Sequence, residues 1–273
     1  MDNNPLRQYF RRPSVYLKLP SGIESYSEDV INHPVSGELP IYPMTAIDEI
    51  TARTPDALFN GTAVAELIKS CVPDIKDPWS INSNDLDAIL VAIKSASNGD
   101  QLEIESICPK CSELSPYGIS LVGILTTLKA GDYSKELEFG NLKVKLRPLL
   151  YKEMNEASVA QFDLQKVFMA MDSMTDEEKN KIGGDALERV TLLTMRLLSL
   201  SIDYIQTPEV KVEEKDFILD YLKNCERNTY TAIRDYASEL KKQSTPQPLT
   251  IKCDSCEHEY KQDFSLNPSD FFG

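Results

Sequence analysis

Apolar and polar residues change their period several times along this chain, and each change marks an element. Val15, Leu17 and Leu19 alternate with polar neighbours in "SVYLKL", which predicts a half-buried strand. A polar loop follows to about Glu38. "LPIYPMTAIDEI" reads as a short extended piece running into a helix, with Thr45 as N-cap and Asp48 at the third helical position. Thr54-Pro55 opens another helix, Asn60-Gly61 interrupts it, and "TAVAELIKS" resumes. In "SNDLDAILVAIKSASNG", Leu86, Ile89, Leu90 and Ile93 fall at i, i+3, i+4 and i+7, and Gly99 ends the helix.

Alternation returns in "QLEIESI". "YGISL" reads as a strand, "VGILTTLK" as a short helix, and "KELEFGNLKVKLRP" as a hairpin turning at Gly140-Asn141. From about Leu149 to Gln243 the period is helical. Helices are predicted near Tyr151–Met171, Asp185–Tyr204, Glu213–Cys225 and Asn228–Lys242. The second is apolar on most of its circumference, through Val190, Leu192, Leu193, Met195, Leu197, Leu198, Leu200 and Ile202. Such a helix is the buried centre of a bundle or a subunit interface. Tyr230, Ile233, Ala237 and Leu240 form a core-facing stripe too short for a coiled coil.

Two short motifs add chemistry. "ICPKC" contains Cys108 and Cys111, and "CDSC" contains Cys253 and Cys256. "CPKCSELSPYGISL" and "CDSCEHEYKQDFSL" align without a gap, and β-prone residues precede each pair. Each therefore reads as strand, CxxC turn, strand: two zinc knuckles that together make a four-cysteine ribbon. Such a site has no open coordination position and is structural. Its binding energy becomes folding energy, about 10–16 kcal/mol in zinc-finger-like sites. The intervening stretch is far longer than common ribbon spacing, so the ribbon is read as split by an inserted domain. A thioredoxin-like redox pair and free thiols are the competing readings. Redox pairs sit at a helix N-terminus, however, and these sit in hairpin turns. His258 is a competing ligand, but the internal match favours Cys256. Cys71 and Cys225 read as small buried hydrophobes on helix faces.

The first twelve residues gather Arg7, Tyr9, Phe10, Arg11 and Arg12 ahead of Pro13. They form either a frayed end or a docking strand. The formal net charge of −14, from 43 acids against 29 bases, repels phosphate backbones and argues against nucleic acid as partner. No apolar run reaches membrane-spanning length, so no membrane partner is expected, and the N-terminus lacks a secretory h-region. A cytosolic location with reduced thiols follows. There are two histidines, His33 and His258, and no P-loop, GxGxxG or HExxH, so an enzyme is not expected.

The stretches "PLRQYFRRPSVYLKLPSG", "LPIYPMTAIDEITARTPDALFNGTAVAELIKSCVPDIKDPW", "NDLDAILVAIKSAS" and "VKLRPLLYKEMNE" resemble a family of T-even-type bacteriophage baseplate proteins. That family is counted among central hub subunits or hub assembly factors. The resemblance covers most of the N-terminal half and is much weaker after Gln161. It implies a contractile-tail phage protein made in the host cytoplasm, acting on other baseplate or hub proteins by contact. The region from Pro43 to Trp79 reads as a capped helical core or as a docking face that includes Trp79, since tryptophan is favoured at interface hot spots.

The expected architecture is α+β: an arm (1–12), a mixed region (13–100), the first knuckle and hairpin (101–148), a helical domain (149–245), and the second knuckle with a tail (246–273). A zinc-ribbon adaptor for another protein, for example in transcription, is the second functional reading.

Overall fold

The computed structural model describes residues 4–54, 60–171 and 176–262. The fold is α+β, with eight α-helices and small antiparallel sheets among these residues. The helix expected from Thr54-Pro55 and the segment Phe264-Ser265-Leu266 lie outside them. The chain divides into two compact units: Met1–Ala130 with Thr245–Gly273, and Gly131–Ser244.

In the first unit, β1 (Val15–Leu17) pairs antiparallel with β2 (Leu39–Ile41). Helix α1 (Ala46–Ala52) starts with a capping box: the Thr45 hydroxyl accepts from the Asp48 N–H, and the Asp48 carboxylate accepts from the Thr45 N–H. Helix α2 (Thr62–Cys71) follows Gly61, whose φ of 76° supplies the left-handed turn into it. Helix α3 (Ser83–Asn98) is capped by the Asn82 side chain and ends at Gly99. Leu86, Ile89, Leu90 and Ile93 are buried as the stripe requires, but Ala88, Val91 and Ala92 are buried too. Helix α3 is therefore enclosed on most sides and is the centre of this unit. Its buried charged member is Asp85, whose carboxylate accepts from the Ser21 N–H at 2.9 Å, from the Tyr26 hydroxyl at 2.6 Å and from the Ser21 hydroxyl.

From α3 the chain enters the hairpin β3 (Gln101–Ile107) and β4 (Leu114–Ser120), whose register runs from Gln101↔Ser120 to Ile107↔Leu114. Helix α4 (Leu121–Thr127) returns the chain to α3. Asp100 fixes that return, because its carboxylate accepts from the Ser120 hydroxyl and the Val122 N–H. The last part of the unit is the hairpin β9 (Leu249–Lys252) and β10 (Glu259–Gln262), in register from Leu249↔Gln262 to Lys252↔Glu259.

The second unit is less helical than its periodicity implies. Strands β5 (Glu136–Phe139) and β6 (Leu142–Leu146) form the expected hairpin, extended by β7 (Ile202–Gln206) and β8 (Lys211–Val212) into a four-stranded sheet. Helices α5 (Tyr151–Met171), α6 (Asp176–Ser201), α7 (Lys215–Asn224) and α8 (Arg227–Ser244) complete it. Val144, Leu146, Leu198, Ile202, Ile205, Ile218, Leu222, Ile233 and Leu240 make one core. The predicted second helix thus stops at Ser201, and Ile202–Gln206 belongs to the sheet. β-branched Ile202 and Ile205 pack there on α7 and α8, a tertiary preference that overrides helical period. Helix α6 is also not the buried centre of a bundle. Leu187, Val190 and Leu192 are exposed, and its fully packed end is the turn around Leu198.

Candidate metal centre

Both cysteine pairs sit in one kind of turn. In the first, the Cys108 N–H donates to the Glu113 carbonyl and the Ser112 N–H to the Cys108 carbonyl, each at 2.9 Å. In the second, the Cys253 N–H donates to the His258 carbonyl and the Glu257 N–H to the Cys253 carbonyl, again each at 2.9 Å. Position for position, these are the same bonds. Each first cysteine also lies one residue beyond the last pair of its ladder, Ile107↔Leu114 and Lys252↔Glu259. The turns are hairpin knuckles, and neither cysteine pair opens a helix, which removes the structural basis of the thioredoxin-like reading.

The two knuckles meet at their sulfurs. Cys108 Sγ lies 3.7 Å from Cys256 Sγ, and Cys111 Sγ lies 3.6 Å from Cys253 Sγ. All four sulfurs fall within 4.8 Å of one another. A tetrahedral ion with sulfur bonds of about 2.3 Å needs S···S edges of about 3.8 Å, so the cage fits such an ion closely. The donors are soft thiols, and four of them close the coordination shell. Cys108 and Cys253 are buried, Cys256 is half-buried and Cys111 is exposed, so one edge of the cage faces solvent. Burial pushes the Cys108 thiol up, but the N–H groups of Cys111 and Lys110 outweigh it and hold the thiol down to about 7. That favours the thiolate a metal requires. Cys111 accepts a bond from Glu113 that lowers it, yet partial desolvation of its sulfur on the cage side and the neighbouring sulfurs push it up to about 12.

Below the sulfurs, polar side chains join the hairpins. The Ser106 hydroxyl lies 2.8 Å from the Tyr260 hydroxyl and 2.9 Å from Gln262 Oε1. Residue periodicity had given no sign of this contact. His258 does not join the cage and stacks on Tyr260, with centroids 6.2 Å apart. Cys71 and Cys225 are not part of it either. Cys71 is buried, and burial pushes its thiol up to about 11. Cys225 caps the end of α7 and is half-buried.

A family model described as "T4 bacteriophage base plate protein" matches residues 31–273, which include both knuckles. The chain belongs to this family. No curated protein and no solved structure matches. Membership makes it a phage baseplate protein, whose work involves other phage proteins, and gives the transcription-adaptor reading no support. No helix among the described residues is long and apolar enough to cross a membrane.

The N-terminal arm precedes the matched region. Its residues Pro5–Tyr9 form a short 3-10 helix capped by Asn4. Arg7, Tyr9, Phe10 and Arg12 are exposed. Arg11 is not: its guanidinium bonds the Asp48 carboxylate at 3.1 Å, the Ser70 carbonyl and hydroxyl at 2.8 Å each, and the Pro43 carbonyl. It anchors the arm to α1 and α2, and its donors are spent within the chain. Trp79 sits half-buried in a 3-10 turn, Pro78–Ser80, where its N–H donates to Asp77.

Proposed function

We propose that this protein is a non-enzymatic component of the central hub of a contractile-tail baseplate, as a subunit or as a factor that builds it, and that it works through protein contacts. The family match over most of the chain carries this reading. The lack of any catalytic motif agrees with it, as does an acidic surface unsuited to nucleic acid. Assembly takes place in the host cytoplasm, and a resident subunit ends in the virion tail.

In this reading Cys108, Cys111, Cys253 and Cys256 hold one structural zinc. The ion does no chemistry on a substrate. It joins segments separated by more than half the chain, so its binding energy opposes the opening of a very long loop. The exposed arm residues Arg7, Tyr9, Phe10 and Arg12, with the open part of Trp79, are the contact residues. Arg11 positions them.

Mass spectrometry of purified virions, beside tails from phage lacking the gene, tests the proposal. Stoichiometric protein in mature tails identifies a subunit. Absence from virions, with hub-less tails when the gene is deleted, identifies an assembly factor. Normal tails without the gene overturn the hub role.

A further inference from the structure

The arm is basic and aromatic in a strongly acidic protein. Residues 4–17 contain three arginines and no acid, against a net charge of −14. Tyr9 and Phe10 are 77% and 58% exposed. Arg12 is exposed and makes no ion pair among the described residues.

A surface of opposite character lies on the outward face of the β3–β4 hairpin. Glu103 and Glu105 point outward on β3, two residues apart and therefore about 7 Å from each other. Their cross-strand partners are Gly118 and Pro116. Neither partner has a side chain that can cover a carboxylate, and neither glutamate is ion-paired among the described residues. At the end of the same face, Ile107 and Leu114 stand opposite each other, 62% and 54% exposed. The strip therefore offers two open carboxylates leading to an apolar pair. The arm offers guanidinium groups beside two aromatic rings. Both signs of charge and both apolar patches are matched.

We propose that the arm of one molecule docks on the outward face of the β3–β4 hairpin of a second copy of this chain. Arg11 fixes the arm at Asp48 and Ser70, while the hairpin face stays exposed in the same molecule. The two surfaces thus find each other between molecules. Different surfaces meet, so the contact is head-to-tail and builds a ring or a chain. The net charge opposes this at long range. Beyond the Debye length of about 8 Å at physiological salt that repulsion is screened, while ion pairs in contact persist. Association should therefore be strongest at intermediate ionic strength and weaker both in very dilute and in concentrated salt.

Purified full-length protein is enough for the test, which does not depend on the hub reading. Sedimentation from micromolar to about 200 µM should show mass rising with concentration at about 150 mM NaCl. One variant carries Arg7→Glu with Arg12→Glu, and another carries Glu103→Lys with Glu105→Lys. Each alone should associate at least tenfold more weakly than wild type, because like charges then meet. Mixed together they should associate again, since each reversed surface faces a complementary one on the other. Tyr9→Ser with Phe10→Ser, which keeps the charges, should also weaken association at least tenfold. Melting curves establish that each variant is folded. A wild type that stays monomeric overturns the proposal, and arm-dependent binding to tail intermediates would then assign the arm to a different protein. Association that survives the charge reversals, or that mixing fails to restore, overturns it as well.

Discussion

Ser112 and Glu257 hold the same left-handed backbone conformation, with φ of 60° and 55°. Each follows the second cysteine of its knuckle. Among the described residues no other non-glycine has positive φ. An L-residue is strained there by roughly 1 kcal/mol, and a β-branched one by more. Ser112→Gly should therefore keep the metal content and change stability by less than about 1 kcal/mol, the relief of strain offsetting chain entropy. Ser112→Val should cost about 1–3 kcal/mol. Denaturant titration checks both, and the same pair of changes at Glu257 should repeat the pattern. Equal behaviour of Gly and Val would show that the turn does not demand this conformation.

Cys108→Ser and Cys253→Ser should be equally damaging. Their thiols belong to one cage, and either loss leaves an ion three-coordinate. Metal analysis of protein prepared without chelator should give one zinc per wild-type chain, and markedly less in both variants. His258→Ala should retain the metal, because the ring stacks on Tyr260 and lies outside the cage. If Cys253→Ser melts like wild type while Cys108→Ser does not, the knuckles do not share an ion.

Arg11 divides the arm into an exposed part and an anchored part. Deleting residues up to Phe10 should leave the melt almost unchanged, because residues 4–10 are exposed and contribute nothing to the core. Extending the deletion through Arg12, or Arg11→Ala alone, should cost about 1–3 kcal/mol, as several charge-assisted bonds are lost. The pH dependence has a definite sign. Burial raises the Asp48 carboxyl, but bonds from Thr45 and the Arg11 charge hold it below its usual 3.8. A depressed acid adds stability above its unfolded value and loses it as pH falls through the folded one. Arg11→Ala should therefore matter less in strong acid than at neutral pH, which melts across pH 2 to 7 will show.

The knuckles were legible because a duplicated motif carries its own internal control. "CPKCSELSPYGISL" predicts the bonds of "CDSCEHEYKQDFSL", and the matched carbonyl contacts of Cys108 and Cys253 follow. The capping box at Thr45 and the end of α3 at Gly99 were legible for the same kind of reason, since the chemistry there is local. What failed was tertiary. Ile202 continues the apolar run of α6, and nothing in the run says that β6 waits beside it. The burial of α3 on most sides needed β1, α2 and α4 to be placed first. Arg11 read as a cation for a partner because sequence shows charge and not what faces it.

Asp85 provides a last test, since its pH response should oppose that of Asp48. Its carboxylate is fully buried, and burial raises its pKa even though Ser21 and Tyr26 donate to it. A raised acid binds its proton more tightly in the folded state than in the unfolded one. The charged form therefore destabilises the fold above the folded pKa, and that cost fades as pH falls towards 3.8. Asp85→Asn cannot titrate. The stability of wild type minus that of Asp85→Asn should rise in favour of wild type as pH drops from 7 towards 4. Tyr26→Phe sharpens the trend: it removes one donor from the carboxylate and the acceptor of the Asn82 N–H. It should cost about 1–3 kcal/mol at neutral pH, where the carboxylate is least satisfied, and less as Asp85 takes up its proton. Urea titrations of the three proteins at several pH values give the answer. Wild-type stability that instead falls relative to Asp85→Asn on acidification would mean that the three hydroxyl and amide donors outweigh burial, and that Asp85 is a depressed acid.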